Sequence, residues 1–173
     1  MEQPKACCFT GHRPQRLGYA ENSPQCALLK EKLRAVLIQL IETRGFAHFI
    51  TGMALGVDLY AAQIVLDLKA QYPQITLECV LPCARQAAGW PARDRATHAR
   101  ILSACDRRTL LQTEYTKDCM HKRNRYMVDH ADCVLAVWNG IPSGTGSTVK
   151  YARAKQVPVL LLDPLSLRLS TCG

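Results

Sequence analysis

Short, continuous apolar runs alternate along the chain with longer stretches in which apolar residues recur every three or four positions. The runs at residues 5–9, Ala47 to Thr51, Ile75 to Leu81, Cys133 to Val137 and Val157 to Leu162 predict buried strands, with a weaker strand around 108–112. Between the first two, Leu29, Leu33, Val36, Leu37, Leu40 and Ile41 fall on one helical face. Asn22-Ser23-Pro24 supplies a polar cap and a first-turn proline, and Gly45 stops the helix. Further helices are expected over 57–71, 92–104 and 118–131, with a short one reaching about 155. Polar loops occupy Thr10 to Tyr19 and Asn139 to Gly146.

Strands of this kind separated by amphipathic helices predict an α/β, Rossmann-like, doubly wound and mostly parallel sheet with helices on both faces. Ligands of such sheets bind at the carboxyl ends of the strands. At 173 residues, with no repeat or linker, one domain over 1–173 is expected. No apolar run approaches the roughly 20 residues of a membrane helix, and the N-terminus lacks a signal-peptide pattern, so no membrane partner and a cytoplasmic location are expected.

Charge and cysteine change this picture in one respect each. The net charge is +8, and residues 85 to 125 alone hold ten Lys/Arg against four acids. Such a surplus suits an anionic partner, or is simply a solvated face. The nine cysteines are scattered without Cys-x-x-Cys spacing, which reads as reduced thiols beside apolar neighbours. Cys119-Met120-His121 with His130 lacks a second ligand pair at structural zinc spacing, so no metal and no cofactor are expected.

Candidate chemistry gathers in three loops that follow strands. Thr10, Gly11, His12 and Arg13 leave the first strand, offering close backbone approach and donors to an anion. Gly52, Met53, Ala54 and Gly56 lead into a helix whose N-terminus favours a phosphate. Asp58, just inside that helix, serves either as a stabiliser of the N-terminus or as a ligand contact. Ser143, Gly144 and Thr145 belong to the Gly/Ser/Thr-rich loop after the fifth strand, the densest phosphate cradle in the chain. That loop has no third glycine at 149 and so fails the dinucleotide fingerprint, and the second loop lacks the Gly-Lys-Ser/Thr of a P-loop. A fourth element, Lys122 to Asp129, brings Arg123 or Asn124 towards the same sheet edge.

Cys8-Phe9-Thr10-Gly11-His12-Arg13-Pro14, Gly52-Met53-Ala54-x-Gly56-Val57-Asp58, Arg123-Asn124-x-Tyr126-Met127-Val128-Asp129 and Ser143-Gly144-Thr145 with Thr148-Val149-x-Tyr151-Ala152 together resemble the bacterial YpsA-like family of the SLOG superfamily. The resemblance runs over almost the whole chain. It implies a Rossmann-like fold and a pocket for a nucleotide or nucleotide-derived ligand, and its relatives include the Lonely-guy phosphoribohydrolases and the DprA-type single-strand DNA-binding proteins. Lonely-guy enzymes carry Pro-Gly-Gly-x-Gly-Thr-x-x-Glu, whose glutamate serves glycosidic cleavage; Lys150 stands at that place here. Losing such a carboxylate typically costs about 10²–10⁴-fold in rate.

The leading expectation is therefore binding of a nucleotide-derived small molecule, with a sensory or regulatory role. Behind it stand a nucleoside-phosphate hydrolase using Asp58 or Asp129, and single-stranded nucleic-acid binding through 85–125. The last is ranked lowest because aromatics make up 6% of residues and do not interleave with the basic ones. A homo-oligomer stays open.

Overall fold

The computed structural model describes residues 2–172. Seven strands form one sheet: β1 (Lys5–Gly11), β2 (Phe46–Thr51), β3 (Thr76–Leu81), β4 (Arg107–Leu110), β5 (Cys133–Val137), β6 (Val159–Leu162) and β7 (Leu169–Cys172). Their order is β4-β3-β2-β1-β5-β6-β7, and every pairing is parallel except β6 with β7. The connecting helices are α1 (Pro24–Arg44), α2 (Val57–Leu68), α3 (Ala92–Ala104), α4 (Cys119–Asp129) and α5 (Gly144–Ala154). None of the described helices is long and apolar enough to cross a membrane.

Alternation along each strand divides the core in two. Cys7, Phe9, Phe49, Leu77, Leu135 and Val137 pack on the face covered by α1 and α2, with Ile101 of α3 joining them. Ala6, Cys8, Ile50, Val80, Val134 and Ala136 pack on the other face, against Met127 and Val128 of α4 and Val149 and Ala152 of α5. Ser23 caps α1 by accepting from the Cys26 N–H at 3.2 Å, Pro24 fills the first turn, and Gly45 ends the helix in the left-handed region at φ +71°.

Three expectations are corrected. β1 continues through Gly11, because Thr10 and Gly11 pair with Ala136 and Val137 of β5, so both belong to the strand and not to the loop. α5 starts at Gly144: Ser143 is its cap, its Oγ accepting from the Gly146 N–H at 3.2 Å, which places Thr145 and Gly146 inside the helix. β7 has no counterpart in the expected element order. It is an edge strand whose register on β6 is set by one antiparallel return after Pro164. Smaller differences lie at ends, as in α2, which stops at Leu68 rather than 71.

The strand order fixes where a ligand crevice opens. Successive crossovers run outward from β1 through β2 and β3 to β4, and the chain then returns to add β5 on the other side of β1. The loops after β1 and β5 therefore diverge to opposite faces, leaving a gap at their carboxyl ends.

Candidate functional site

That gap is a cleft of about 390 Å³, lined by Thr10, Gly11, His12, Arg13, Ala54, Asp58, Arg123, Asn124, Ser143, Gly144 and Thr145, with Arg16, Met120 and His121 beside them. The three loops and α4 thus meet as expected from their order in the chain. Gly52, Met53 and Gly56 do not line the cleft. Met53 is fully buried, and the two glycines stand behind the wall as its supports.

Their structural reasons are specific. A Cβ on Gly52 would lie 2.7 Å from the Arg123 guanidinium, so glycine lets Arg123 pass over the end of β2. Gly56 holds φ +90°, and a Cβ there would lie 2.6 Å from the carbonyl oxygen of His12. That same carbonyl accepts from the Val57 N–H at 3.4 Å, joining the first loop to the start of α2. Met53 takes the left-handed conformation at φ +59°, and Thr51 Oγ1 accepts from its N–H at 3.2 Å.

The two helix N-termini at the cleft differ in what they meet. Asp58 Oδ2 accepts from the Ala54 N–H at 3.3 Å, so an internal carboxylate already occupies the entry to α2. α5 has no acidic residue in its first turn. Its cap uses the Gly146 N–H, and Gly144 is exposed, with no protein atom within 4 Å of where a Cβ would stand. The positive end of that helix faces the cleft alongside Arg13, Arg16 and Arg123.

Arg123 is buried, with 4% of its surface exposed. Its Nη1 donates to the Gly52 carbonyl and its Nε donates to Asn124 Oδ1 at 2.8 Å. Burial pulls the guanidinium down from its ordinary value, opposed by the charge of Asp58. Asp58 is 5% exposed and its carboxyl is pushed up to about 6 by burial, with the charges of Arg123 and Arg13 and the Ala54 hydrogen bond acting against that rise. It is the one carboxylate among the residues lining the cleft. Lys150 is exposed and lies outside the lining, and Asp129 is engaged elsewhere, accepting from the Tyr151 hydroxyl at 2.9 and 3.2 Å.

His12 links the first loop to the third. Its Nε2 lies 2.9 Å from Asn139 Oδ1 and 3.2 Å from the Asn139 backbone N. Whichever of these contacts the ring makes, Nδ1 remains buried without a hydrogen-bond partner among the described residues. Burial lowers the imidazole pKa, and the Asn139 contact acts in the opposite sense.

Arg16, Met120 and His121 line the cleft without having been marked as ligand-binding residues in the sequence, where Met120 and His121 figured only in a set-aside metal motif. Helical spacing carries the signal for the last two: Met120 sits three and four positions before Arg123 and Asn124, and His121 three before Asn124. Arg16 lies on a short 3-10 turn, Pro14–Arg16, which brings it back over the loop that holds Arg13.

A model of the YspA SLOG family, YpsA, matches residues 7–160. The SPbeta prophage-derived protein YoqJ of Bacillus subtilis (strain 168) is 33% identical over 143 residues, covering 76% of this chain and 84% of that one. A UPF0398 protein of Bacillus thuringiensis (strain Al Hakam) is 28% identical over 155 residues, with 88% and 84% covered. Among solved structures, the fold is similar to DNA processing protein A from Helicobacter pylori, described for its single-stranded DNA binding mode, at TM-score 0.61 and 19% identity. It is also similar to DNA processing protein A from Streptococcus pneumoniae, at TM-score 0.63 and 18% identity. This chain spans 65% and 53% of those two proteins, and 91% and 94% of it is matched.

Proposed function

This chain belongs to the YspA SLOG family, and on that premise we propose that its cleft binds a nucleotide-derived anion in a sensory or regulatory role. The observation that carries this reading is the acid-free first turn of α5. Its capped N-terminus has no acid of its own and faces Arg13, Arg16 and Arg123, whereas Asp58 fills the equivalent place at α2. Phosphate oxygens accept from the first-turn N–H groups and the Ser143 and Thr145 hydroxyls, and the arginines neutralise them. Asp58 and Asn124, in the same lining, suit sugar hydroxyls. Lys150, exposed at the place of the Lonely-guy glutamate, favours binding over glycosidic cleavage.

Isothermal titration with nucleoside monophosphates tests the placement. Gly144→Val puts its side chain into the open cleft rather than the core, and Ser143→Val removes both hydroxyl and cap. Each is expected to weaken binding at least tenfold. Unchanged affinity in both variants would mean that the anion sits elsewhere.

A second reading, single-stranded DNA binding, is favoured by the fold shared with the H. pylori protein and by exposed Lys122 and Arg125 on α4 beside the cleft. Its signature is affinity that falls steeply with salt.

A further inference from the structure

We infer that the cleft continues past Met120 into a second subsite, where Tyr115 is a stacking platform for the nucleobase of the bound ligand. The inference rests on the anion-anchoring reading above and adds what lies at the other end of the ligand.

Beside the polar cleft is a hollow of about 490 Å³ whose lining includes Cys83, Ala84, Ala88, Tyr115 and Met120. Met120 also lines the polar cleft, so the two share one wall. That wall is an unbranched, adaptable thioether, weakly held by the Arg123 Nη2 at 3.9 Å. The two spaces have complementary chemistry. One holds arginines, hydroxyls and a helix N-terminus; the other sets an aromatic ring and small apolar side chains beside Arg85, Gln86, Thr113 and Glu114. A molecule that is anionic at one end and, at the other, flat with hydrogen-bonding edges matches the pair.

Tyr115 is 66% exposed, and its hydroxyl has no hydrogen-bond partner among the described residues. An isolated surface aromatic is unremarked in most proteins. This one is held in place. Gln112 Nε2 donates to the Glu114 carbonyl at 2.7 Å and to Thr116 Oγ1 at 2.9 Å, clamping the residues on either side of Tyr115. Thr116 Oγ1 in turn donates to Asp118 Oδ1 at 2.7 Å, at the start of α4. The Ala84 N–H donates to the Thr113 carbonyl at 3.1 Å, fixing the opposite side of the hollow to the same loop. The ring is thus presented on a braced loop, which keeps low the ordering cost that an aromatic contact carries on a mobile one.

The two ends also communicate. Gln86, in the lining of the hollow, donates through Nε2 to the Gly52 carbonyl at 3.0 Å, the same oxygen that receives Arg123 Nη1. Base and anion subsites therefore lean on one backbone carbonyl.

Titrations of the parent, Tyr115→Ala and Tyr115→Phe with AMP, GMP, CMP, UMP and ribose 5-phosphate test this. Base–aromatic stacking predicts that at least one nucleotide binds the parent about tenfold more tightly than ribose 5-phosphate. Tyr115→Ala should erase that advantage without changing ribose 5-phosphate affinity, and Tyr115→Phe should keep it. The exposed position makes misfolding an unneeded explanation, and an unchanged melting temperature checks it. If every nucleotide binds no better than ribose 5-phosphate, or Tyr115→Ala leaves the gap intact, the platform is wrong while the anchor stands. If the parent binds neither nucleotides nor ribose 5-phosphate, the anchor itself fails and the platform with it. Comparing dTMP with a short oligothymidylate separates a free nucleotide from a strand: a Tyr115-dependent gain for the oligomer assigns the base to a strand, and its absence assigns it to a mononucleotide.

Discussion

Asp58 is the residue whose environment departs furthest from what its place in the sequence suggests. Inside the first turn of a helix, a carboxylate is ordinarily stabilised as an anion. Here burial overrides the helix, and the group keeps its proton to about pH 6 in the folded chain against an ordinary value of 3.8. Between those values the unfolded state binds fewer protons than the native state, so stability falls as pH rises through about 4 to 6 and is level above it. At 1.36 kcal/mol per unit the loss is about 3 kcal/mol. Asp58→Asn should flatten that slope, which urea unfolding at pH 4.5, 6 and 7.5 would show; parallel slopes in parent and variant would refute the assignment. The sequence pattern marked Asp58 as a candidate but left capping and ligand contact level. Only the third dimension, with Arg123 arriving from a distant helix over Gly52, decides its surroundings. Gly52, Met53 and Gly56 read in the sequence as pocket residues but face inward, and their type is dictated by Arg123, by burial and by the His12 carbonyl.

At the scale of elements, boundaries set by strong local chemistry were legible. α1 is the clearest case, with Ser23, Pro24 and Gly45 each at the position its physics requires. A substitution isolates one of these. No atom lies within 4 Å of a Cβ built on Gly45, so Gly45→Ala carries only the penalty of φ +71°. The expected loss is about 1 kcal/mol, read as a lower urea midpoint at unchanged m-value. α5 was misjudged because Gly144, Thr145, Gly146, Ser147 and Thr148 have weak helix propensity, and only the Ser143 cap shows that they are nonetheless helical. Its early start turns part of the Gly/Ser/Thr-rich loop into the first turn of a helix that borders the cleft. β7 was missed for a different reason. Four residues, Leu-Ser-Thr-Cys, are too few for a period to show, and pairing with β6 supplies what local preference lacks.

For the whole molecule, the alternation of apolar runs and helices carried the architecture, since parallel pairing and two covered faces follow from it. What it did not carry was strand order, which alone decides that the cleft opens between β1 and β5. The core on the α1/α2 face is anchored by Phe9 and Phe49, stacked with ring centroids 6.0 Å apart and planes 8° from parallel. Both rings are fully buried, so Phe49→Ala should cost about 3–5 kcal/mol, a large share of the roughly 5–15 kcal/mol of a typical domain. A melting temperature within a few degrees of the parent would contradict this packing. The basic 85–125 segment, read in the sequence as one block, is distributed in space: Arg93 and Arg100 lie on α3 and Lys122 and Arg125 on α4, on opposite faces of the sheet. Of these, Arg93 and Arg100 lie outside the cleft lining, whereas α4 contributes Arg123 to it.

His12 has a consequence for how such a chain is able to diverge. Its carbonyl meets the start of α2, its ring meets Asn139 after β5, and its own N–H donates to the Val137 carbonyl at 3.3 Å. One residue thereby sets the spacing of three loops that are distant in sequence. Insertions or deletions between Gly11 and Pro14, between Gly52 and Val57, or between Val137 and Ser143 would each shift a partner of His12 out of reach. The rim of the cleft should therefore change by exchange of side chains at fixed length.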